Sequence, residues 1–313
     1  MQPRNQTVCT EFLLLGFQNV ESFKTLFFLL LLAIHLMTVC GNLLIIWLVA
    51  SNRSLQSPMY FFLTQLSLSD LLLTTDIVPN ALYIIWNEGG AMSFTGCITQ
   101  FYLFDLFECF LLATMAYDRY LAICNPLRYS SIMNSFLCIR LVILSWILSF
   151  SVALTDIISM TQLDFCGPNI IDHFFCDLAP LLELSCSDTT FFQVEIFILC
   201  TFVTLPPLIF VIVSYAWIVK AVLRISTKTG RGKAFSTCSS HLAVVSIFYG
   251  TLIGSYMIPA NGKSLTVSKA VSLLYTVFTP MINPIIYSLK NKDIKGAMKR
   301  TFLLVQFMII FCN

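Results

Sequence analysis

Residues 115–126 read Met-Ala-Tyr-Asp-Arg-Tyr-Leu-Ala-Ile-Cys-Asn-Pro, and they place an acid beside a base, Asp118 and Arg119, directly after an apolar run that favours a helix. A charged pair in this position lies where a buried helix reaches water, which is a costly place for charge in a membrane. The six residues from Met115 to Tyr120 alone are also compatible with a simple ion pair at a helix end. The rest of the chain decides between an ion pair and a functional site.

The composition predicts an all-α membrane protein. Of the 313 residues, 58% are hydrophobic and 11% are charged, whereas a soluble domain carries roughly 25% charged residues. Crossing about 30 Å of hydrocarbon takes roughly 20 helical residues, and apolar runs of that length recur along the whole chain. We therefore predict a single domain over residues 1–313, a seven-transmembrane helix bundle. Spans 1 to 7 are predicted at residues 24–51, 57–86, 93–124, 139–160, 194–223, 235–260 and 267–289.

The distribution of basic residues predicts the orientation. One side of the predicted bundle holds only Arg4, Lys24, Lys263 and Lys269. Because Lys and Arg concentrate in cytosolic loops, residues 1–23 are expected outside and the tail 290–313 in the cytosol. After residue 290, basic and apolar residues alternate with helical spacing, which predicts a short amphipathic helix on the cytosolic membrane surface. The basic residues of the cytosolic side are Arg53, Arg119, Arg128, Arg140, Lys220, Arg224, Lys228, Arg231, Lys233, Lys290, Lys292, Lys295, Lys299 and Arg300.

The predicted outer side carries two features of a secreted surface. Asn5-Gln-Thr is a glycosylation sequon, so Asn5 is expected to be modified. Four cysteines lie in the outer segments and predict two disulfides, with three possible connectivities. The sequence has no Cys-x-x-Cys or His-x-x-x-His spacing of a zinc site and no basic block for nucleic acid. The four outer cysteines are Cys97, Cys166, Cys176 and Cys186.

Four polar residues fall inside the predicted spans, where their cost requires partners or a wet cavity. Asn42, Asp70, Glu108 and Asn283 lie roughly 7–13 residues from the cytosolic ends of spans 1, 2, 3 and 7, which is about 10–20 Å at 1.5 Å per residue. Two carboxylates in one buried site are expected to bind a cation or share a proton. The alternative is that each carboxyl is separately neutral and hydrogen-bonded.

Two helices are predicted to have more than a packing role. On span 3 one helical face carries residues separated by alternating steps of four and three, from the outer side to Arg119. On span 7 the prolines Pro280 and Pro284 predict a hinge whose freed carbonyl Asn283 could satisfy. Bundle packing and an inert kink are the simpler alternatives. The face of span 3 consists of Phe101, Asp105, Glu108, Leu112, Met115 and Arg119.

Five motifs in order identify a resemblance. They are Leu-Gln-Ser-Pro-Met-Tyr-Phe-Phe-Leu at 55–63, the opening motif extended to Tyr129, Ser-Tyr at 214–215, Lys-Ala-Phe-Ser-Thr-Cys-Ser-Ser-His-Leu at 233–242 and Pro-Met-Ile-Asn-Pro-Ile-Ile-Tyr at 280–287. Together they cover nearly the whole chain. With them the chain resembles the rhodopsin-like G-protein-coupled receptors, and within these the vertebrate odorant receptors.

The resemblance implies a function and a set of site residues. It implies a plasma-membrane receptor, not an enzyme, that binds a small odorant and activates a stimulatory, olfactory-type G protein to raise cyclic AMP, with membrane lipids as its surroundings. It pairs Cys97 with Cys176 and Cys166 with Cys186, and it implies no cofactor beyond a sodium ion at Asp70 and Glu108. The implied activation residues are Asp118, Arg119, Tyr120, Tyr215, Asn283, Pro284 and Tyr287, and the implied ligand-binding residues are Phe101, Tyr102, Asp105, Leu106, Leu199, Val203, Tyr249, Ile253 and Tyr256.

Several alternatives stay open at this point. An ionised Asp105 would favour an amine ligand, whereas a protonated Asp105 bonded to Tyr102 or Tyr249 would be structural. A non-odorant receptor of the same superfamily, for a peptide, a lipid or a small metabolite, shares the motifs. A cation-coupled transporter using Asp70 and Glu108 would need an internal repeat, and a ligand-gated channel would need a ring of charged pore residues; the sequence shows neither. No oligomeric state is assigned.

Overall fold

The structure is a computed structural model that describes residues 10–18, 23–102, 106–166, 168–254 and 265–301. Most of these residues are helical. The helices are α1 (Lys24–Ser51), α2 (Pro58–Asn87), α3 (Phe94–Tyr102), α4 (Leu106–Cys124), α5 (Pro126–Ile132), α6 (Ser135–Met160), α7 (Leu178–Glu183), α8 (Thr190–Leu223), α9 (Lys228–Leu252), α10 (Leu265–Leu273), α11 (Thr279–Lys290) and α12 (residues 292–301).

Five helical segments within the described residues are long and apolar enough to cross a membrane. They correspond to the predicted spans 1, 2, 4, 5 and 7. Spans 3 and 6 were predicted to extend over residues 103–105 and 255–260, which lie outside the described residues; their described parts are α3 with α4, and α9. The five segments are Lys24–Ser51, Pro58–Asn87, Ser135–Met160, Thr190–Leu223 and Val267–Lys290.

Three helices begin earlier than the hydrophobic pattern predicted. Helix α6 begins at Ser135 because the side chain of Asn134 accepts a hydrogen bond from the Leu137 amide, which satisfies a free donor of the first turn. Helix α8 begins at Thr190, before the predicted residue 194. Helix α9 begins at Lys228, before the predicted residue 235, because the Thr227 side chain accepts a hydrogen bond from the Gly230 amide. Glycines near a helix start are therefore not always loop residues.

A small β-sheet joins the amino-terminal segment to the predicted outer loops. The sequence analysis did not predict this sheet. Its strands are β1 (Glu11–Leu14), β2 (Gly90–Ser93) and β3 (Ile170–Ile171), in the order β2-β1-β3. Strand β1 runs antiparallel to β2 and parallel to β3. Phe12 and Leu14 are buried while Glu11 and Leu13 are exposed, which is the alternation of a half-buried strand. The chain next turns at Gly16, where φ is +65° and an added Cβ would lie 2.6 Å from Ile84.

Span 7 contains a local irregularity between α10 and α11. Residues Leu274–Phe278 form a π-helical turn, which inserts an extra residue into the helix. The Thr279 hydroxyl donates a 3.0 Å hydrogen bond to the Leu274 carbonyl, five residues earlier. The turn rotates α11 relative to α10 and precedes the two prolines, so the predicted hinge region begins in a segment that is already irregular.

Candidate functional site

The buried polar residues of α2 and α11 contact each other directly. The Asp70 side chain is fully buried, and Asn283 Nδ2 lies 3.0 Å from Asp70 Oδ1 and 3.1 Å from Oδ2. Glu108 on α4 is also buried and lies close enough for its charge to act on the Asp70 carboxyl. Residues 213 positions apart therefore meet at one site, as the depth of each along its span predicted.

Asn42, and not Asn283 as predicted, bonds to the carbonyl that a proline of span 7 leaves free. Because Pro284 has no amide hydrogen, the Pro280 carbonyl loses its intrahelical partner. Asn42 Nδ2 donates to this carbonyl across 3.2 Å and to the Thr38 carbonyl across 3.1 Å. The amide of Asn283 is occupied by Asp70, so the earlier assignment was wrong. Gly41 permits the approach of α1, since a Cβ there would lie 3.1 Å from Pro284.

A small cavity opens beside Glu108. Its volume is about 20 Å³, which is room for one water molecule or a small ion. Elsewhere in the bundle, Asn42 Oδ1 and the Tyr287 hydroxyl are buried and have no hydrogen-bond partner among the described residues. The polar groups of the cavity lining belong to Ser69, Glu108, Thr251 and Tyr275, whereas Asn42, Asp70 and Asn283 do not line it. The cavity is lined by Ser69, Leu73, Glu108, Phe248, Thr251, Leu252 and Tyr275.

Near the carboxyl-terminal end of α4, Asp118 of the motif 115–126 accepts hydrogen bonds from both Arg119 and Tyr129. Asp118 is fully buried, and its Oδ2 accepts from Arg119 Nε at 3.1 Å and from Arg119 Nη2. Its Oδ1 accepts a 2.7 Å hydrogen bond from the Tyr129 hydroxyl of α5. Burial raises the pKa of Tyr129, and the Asp118 carboxylate raises it further. Tyr129 was quoted in the motif, but its partner could be identified only from the structure.

A second hydrogen-bonded chain links α8, α9 and α4 through His241. The Leu112 carbonyl lies 3.2 Å from His241 Nε2 and can only accept, so Nε2 carries the proton. His241 Nδ1 therefore accepts from the Tyr215 hydroxyl at 2.8 Å. Sequence reasoning predicted Tyr215 and missed His241, although both lie in the quoted motifs.

Two of the other predicted activation residues, Tyr215 and Tyr287, lie near Arg119, and so does His241, which was not predicted. Tyr215, His241 and Tyr287 all lie within electrostatic range of the Arg119 guanidinium. Pro284 is buried on α11, and Tyr120 is half-buried against the main hydrophobic core. The structure therefore gathers residues from α4, α8, α9 and α11 at one end of the bundle.

Two disulfides organise the opposite end. Cys97 is bonded to Cys176, and Cys166 to Cys186, which is the pairing that the resemblance implied. Gln100 fixes the first bridge, since its Oε1 accepts from the Cys176 amide at 3.2 Å and its Nε2 donates to the Asp76 carbonyl at 3.3 Å.

Lys269 joins three segments at this end. Its Nζ donates to the Gly16 carbonyl at 2.7 Å and to Asp172 Oδ1 at 2.5 Å. The neighbouring His173 is 1% exposed, and burial, followed by the Lys269 charge, lowers its pKa to about 3. A separate surface pair joins the start of α1 to the end of α2, where the hydrogen bond from Lys24 lowers the pKa of Glu88.

Part of the predicted ligand set lies outside the described residues. Asp105 and Tyr256 lie outside the described residues, and the side chains of Phe101, Tyr102 and Leu106 are not described. The predicted glycosylation site, Asn5, also lies outside the described residues. Of the remaining four, Val203 and Tyr249 are buried while Leu199 and Ile253 are half-buried. The Tyr249 hydroxyl donates to the Cys109 carbonyl at 3.1 Å, so its proton is directed to the backbone of α4.

Comparison with known proteins decides the family. A family model described as olfactory receptor matches residues 31–305. This chain belongs to the olfactory receptor family. The receptor is 46% identical to olfactory receptor 1M1 of Mus musculus over 303 residues, which cover 96% of this chain and 97% of that protein.

Two further relatives give the same result. Olfactory receptor 10A7 of Homo sapiens is 48% identical over 300 residues, with 95% of each chain covered. Olfactory receptor 1468 of Rattus norvegicus is 45% identical and covers 100% of both chains. The receptor is accordingly an odorant receptor of the G-protein-coupled type and not an enzyme, and it is a multi-pass protein of the plasma membrane.

Proposed function

We propose that this receptor binds small volatile molecules and activates a stimulatory, olfactory-type G protein, which raises cyclic AMP. The observation that supports the proposal is a cluster of buried polar residues at one end of the helix bundle, in a chain that belongs to this family. The cluster consists of Asp118, Arg119, Tyr215, His241 and Tyr287. Buried charge is costly, and a role in coupling accounts for it better than packing does.

The proposed ligand site lies between the outer halves of spans 3, 5, 6 and 7, beneath the outer segment that carries Cys166, Cys176 and Cys186. The predicted residues are mostly apolar and aromatic, so burial of apolar area would supply most of the affinity and few polar groups would orient the ligand. Asp105 is the polar exception. Its ionised form would select amines, and its neutral form would hydrogen-bond locally. Because the Tyr249 hydroxyl donates its proton to Cys109, it could only accept a hydrogen bond from a neutral Asp105.

The proposed topology is a single seven-span domain over residues 1–313. Residues 1–23, with a glycosylated Asn5, would lie outside, and residues 290–313, including α12, would lie in the cytosol. The distribution of Lys and Arg supports this orientation. A sodium ion near Asp70 and Glu108, held also by amide oxygen, would neutralise part of the buried charge. We propose no other cofactor.

The proposed activation is a shift between two arrangements of the bundle. Odorant binding favours the active arrangement only if the odorant binds that arrangement more tightly. In the proposed resting arrangement the Asp118 carboxylate accepts hydrogen bonds from both Arg119 and Tyr129. In the active arrangement Arg119, Tyr215 and Tyr287 would rearrange and open a crevice for the G protein.

The test is a cyclic AMP reporter assay against a diverse odorant panel, with surface expression measured in parallel. Arg119→Ala should abolish the odorant-evoked response while expression persists. Arg140→Ala is the matched control, because Arg140 is an exposed arginine whose guanidinium stacks 3.9 Å from the Phe136 ring, and it should respond normally. A response that survives Arg119→Ala would contradict the mechanism. On Asp105→Asn, an unchanged response to amines, compared with isosteric alcohols, would exclude amine selection.

A further inference from the structure

Helix α12 has one face packed against the bundle and an opposite face that is strongly basic. Ile294 and Ala297 are 1% and 0% exposed and belong to the main hydrophobic core. Lys292, Lys295 and Lys299 are exposed, and their spacing of three and four places them together on the other face. The helix is therefore fixed in orientation, and its charges are displayed.

Arg300 leaves this face and reaches the turn between α1 and α2. Its Nη2 lies 3.3 Å from Ser54 Oγ, which follows directly after Arg53. Residues 53–55 form a single 3₁₀ turn anchored by Leu55, which is 0% exposed. Arg53, Ser54 and Arg300 are all exposed. The fold thus brings the Arg300 guanidinium to the 3₁₀ turn that also carries Arg53.

These arginines are not neutralised by the described acids. The ion pairs among the described residues involve Lys24, Arg119 and Lys269 only. The sequence places just two acids, Asp118 and Asp293, among the segments assigned to the cytosolic side. Asp118 is buried with Arg119, and Asp293 Oδ2 accepts a 2.9 Å hydrogen bond from Tyr60. The same bond ties α12 to α2, which keeps Arg300 near the 3₁₀ turn.

We propose that Arg53, Ser54, Lys299 and Arg300 form a binding site for the headgroup of an inner-leaflet phosphoinositide. The turn at 53–55 joins the ends of two membrane-crossing helices, so it lies at the level of lipid headgroups. Guanidinium groups bind phosphate oxygens through paired N–H donors, and the serine hydroxyl adds a further donor. Clusters of unpaired basic residues next to a span attract anionic lipids, phosphoinositides among them. A headgroup with more than one phosphate could engage the basic groups of the 3₁₀ turn and of α12 together.

The proposal rests on the orientation given under the proposed function. Bound lipid would hold α12 against the turn that follows α1, on the side where the G protein is expected. The site uses none of the residues assigned to odorant binding or to the Asp118–Arg119 group. It can therefore be tested without odorant and without G protein.

The experiment titrates phosphatidylinositol bisphosphate into phosphatidylcholine nanodiscs that contain the full-length receptor, and counts bound lipid by native mass spectrometry. Arg53→Gln and Arg300→Gln should each weaken binding about fivefold, which corresponds to about 1 kcal/mol per charge near the surface. The double variant should weaken it about twenty-five-fold. Arg128→Gln removes one exposed arginine from α5 and is the matched control; it should leave binding unchanged.

Several results would overturn the proposal. One is a double variant that binds as well as the native receptor, and another is an equal loss in Arg128→Gln, which would indicate unspecific charge attraction. Equal binding of phosphatidylserine, insensitive to the variants, would remove the preference for phosphoinositide. Soluble inositol trisphosphate that binds as tightly as the membrane lipid would make the ligand a free phosphate. A carboxyl-terminal epitope detected on intact cells would remove the inner-leaflet assignment while leaving the measured affinity as it is.

Discussion

The Tyr129 hydroxyl lies 2.7 Å from Asp118 Oδ1 and donates a hydrogen bond to it, so the short helix α5 is attached to the charged end of α4. The other carboxylate oxygen is occupied by Arg119. Asp118 therefore holds two groups at once, and Arg119 cannot leave without exposing a buried carboxylate. Removing either partner should shift the balance between the resting and active arrangements.

Tyr129→Phe should raise signalling without odorant. The substitution removes one hydrogen bond to a buried carboxylate, and bonds to charged groups contribute about 1.5–3 kcal/mol. Even a part of that difference raises the active population several-fold. The measurement is basal cyclic AMP, normalised to surface expression. Tyr117→Phe is the control, because the Tyr117 ring packs near Phe210 on another side of α4, and it should leave the basal level unchanged. Equal basal levels in the two variants would exclude the holding role of Tyr129.

Tyr215 and His241 should behave as one unit in stability. Tyr215→Phe leaves His241 Nδ1 without its donor. His241→Phe removes the donor to the Leu112 carbonyl and leaves the Tyr215 hydroxyl with only the long 3.4 Å contact to the Cys238 carbonyl. A buried polar group that loses its partner costs about 1–3 kcal/mol. We expect His241→Phe to be the more damaging, and the double variant to lose no more than His241→Phe alone.

Thermal denaturation of the purified receptor in nanodiscs measures this pair of variants. The apparent midpoints of the two single variants and the double variant are compared with that of the native receptor. Additive losses in the double variant would show that the two side chains act independently, contrary to the observed contact. Ser246→Ala, which removes a hydroxyl bonded within its own helix to the Leu242 carbonyl, serves as the control for loss of a local hydrogen bond.

The sequence predicted those parts of the fold that depend on local pattern and depth. Asp70 and Asn283 were expected to meet because both are polar residues well inside their spans, and they do. The boundaries were wrong where a cap decided them, as at Asn134 and Thr227. Hydrophobicity locates the part of a helix in the membrane, but the helix itself continues until its backbone groups are satisfied.

The features that the sequence did not predict depend on distant partners. Strand β1 is only four residues long, and its neighbours lie far along the chain, so a pattern of two buried residues was too short to identify it. The role of His241 requires the Leu112 carbonyl, 129 residues away. Asn283 was given the wrong carbonyl because both Asn42 and Asn283 could reach span 7, and only the packing of α1 against Pro284 distinguishes them.

Sodium should stabilise the receptor through Asp70. If an ion lies near Asp70 and Glu108, replacing sodium by a larger organic cation at constant ionic strength should lower the thermal midpoint, since a ligand that binds only the folded state stabilises it. Asp70→Asn should abolish this difference between the salts. Asp76→Asn changes a carboxyl on the same helix, α2, and should retain the difference. A midpoint that is the same in both salts would contradict a bound sodium ion.

His173 should make the outer segment sensitive to mild acid. Its ring is 1% exposed and packs against Phe174 and Phe175, and both ring nitrogens have no hydrogen-bond partner among the described residues. Burial, and then the Lys269 charge, lowers its pKa from 6.5 to about 3, while Asp172 opposes the shift. Between pH 6.5 and about 3, His173 therefore stays neutral in the folded form, whereas in the opened form it takes up a proton. The stabilisation that the neutral His173 ring gives to the folded form is therefore complete above pH 6.5, and it is lost as the pH falls from 6.5 towards 3.

Amide hydrogen exchange of residues 170–176 tests this dependence. At about pH 5 the protonation of the opened form should favour local opening by about 2 kcal/mol, or about thirtyfold. Intrinsic exchange slows as the pH falls, so increased opening is recognised after correction for that slowing. His173→Phe keeps a ring among the aromatic neighbours and removes the titrating group, so its corrected exchange should not depend on pH. A native receptor whose corrected exchange is equally flat would show that His173 is not the group that titrates on opening.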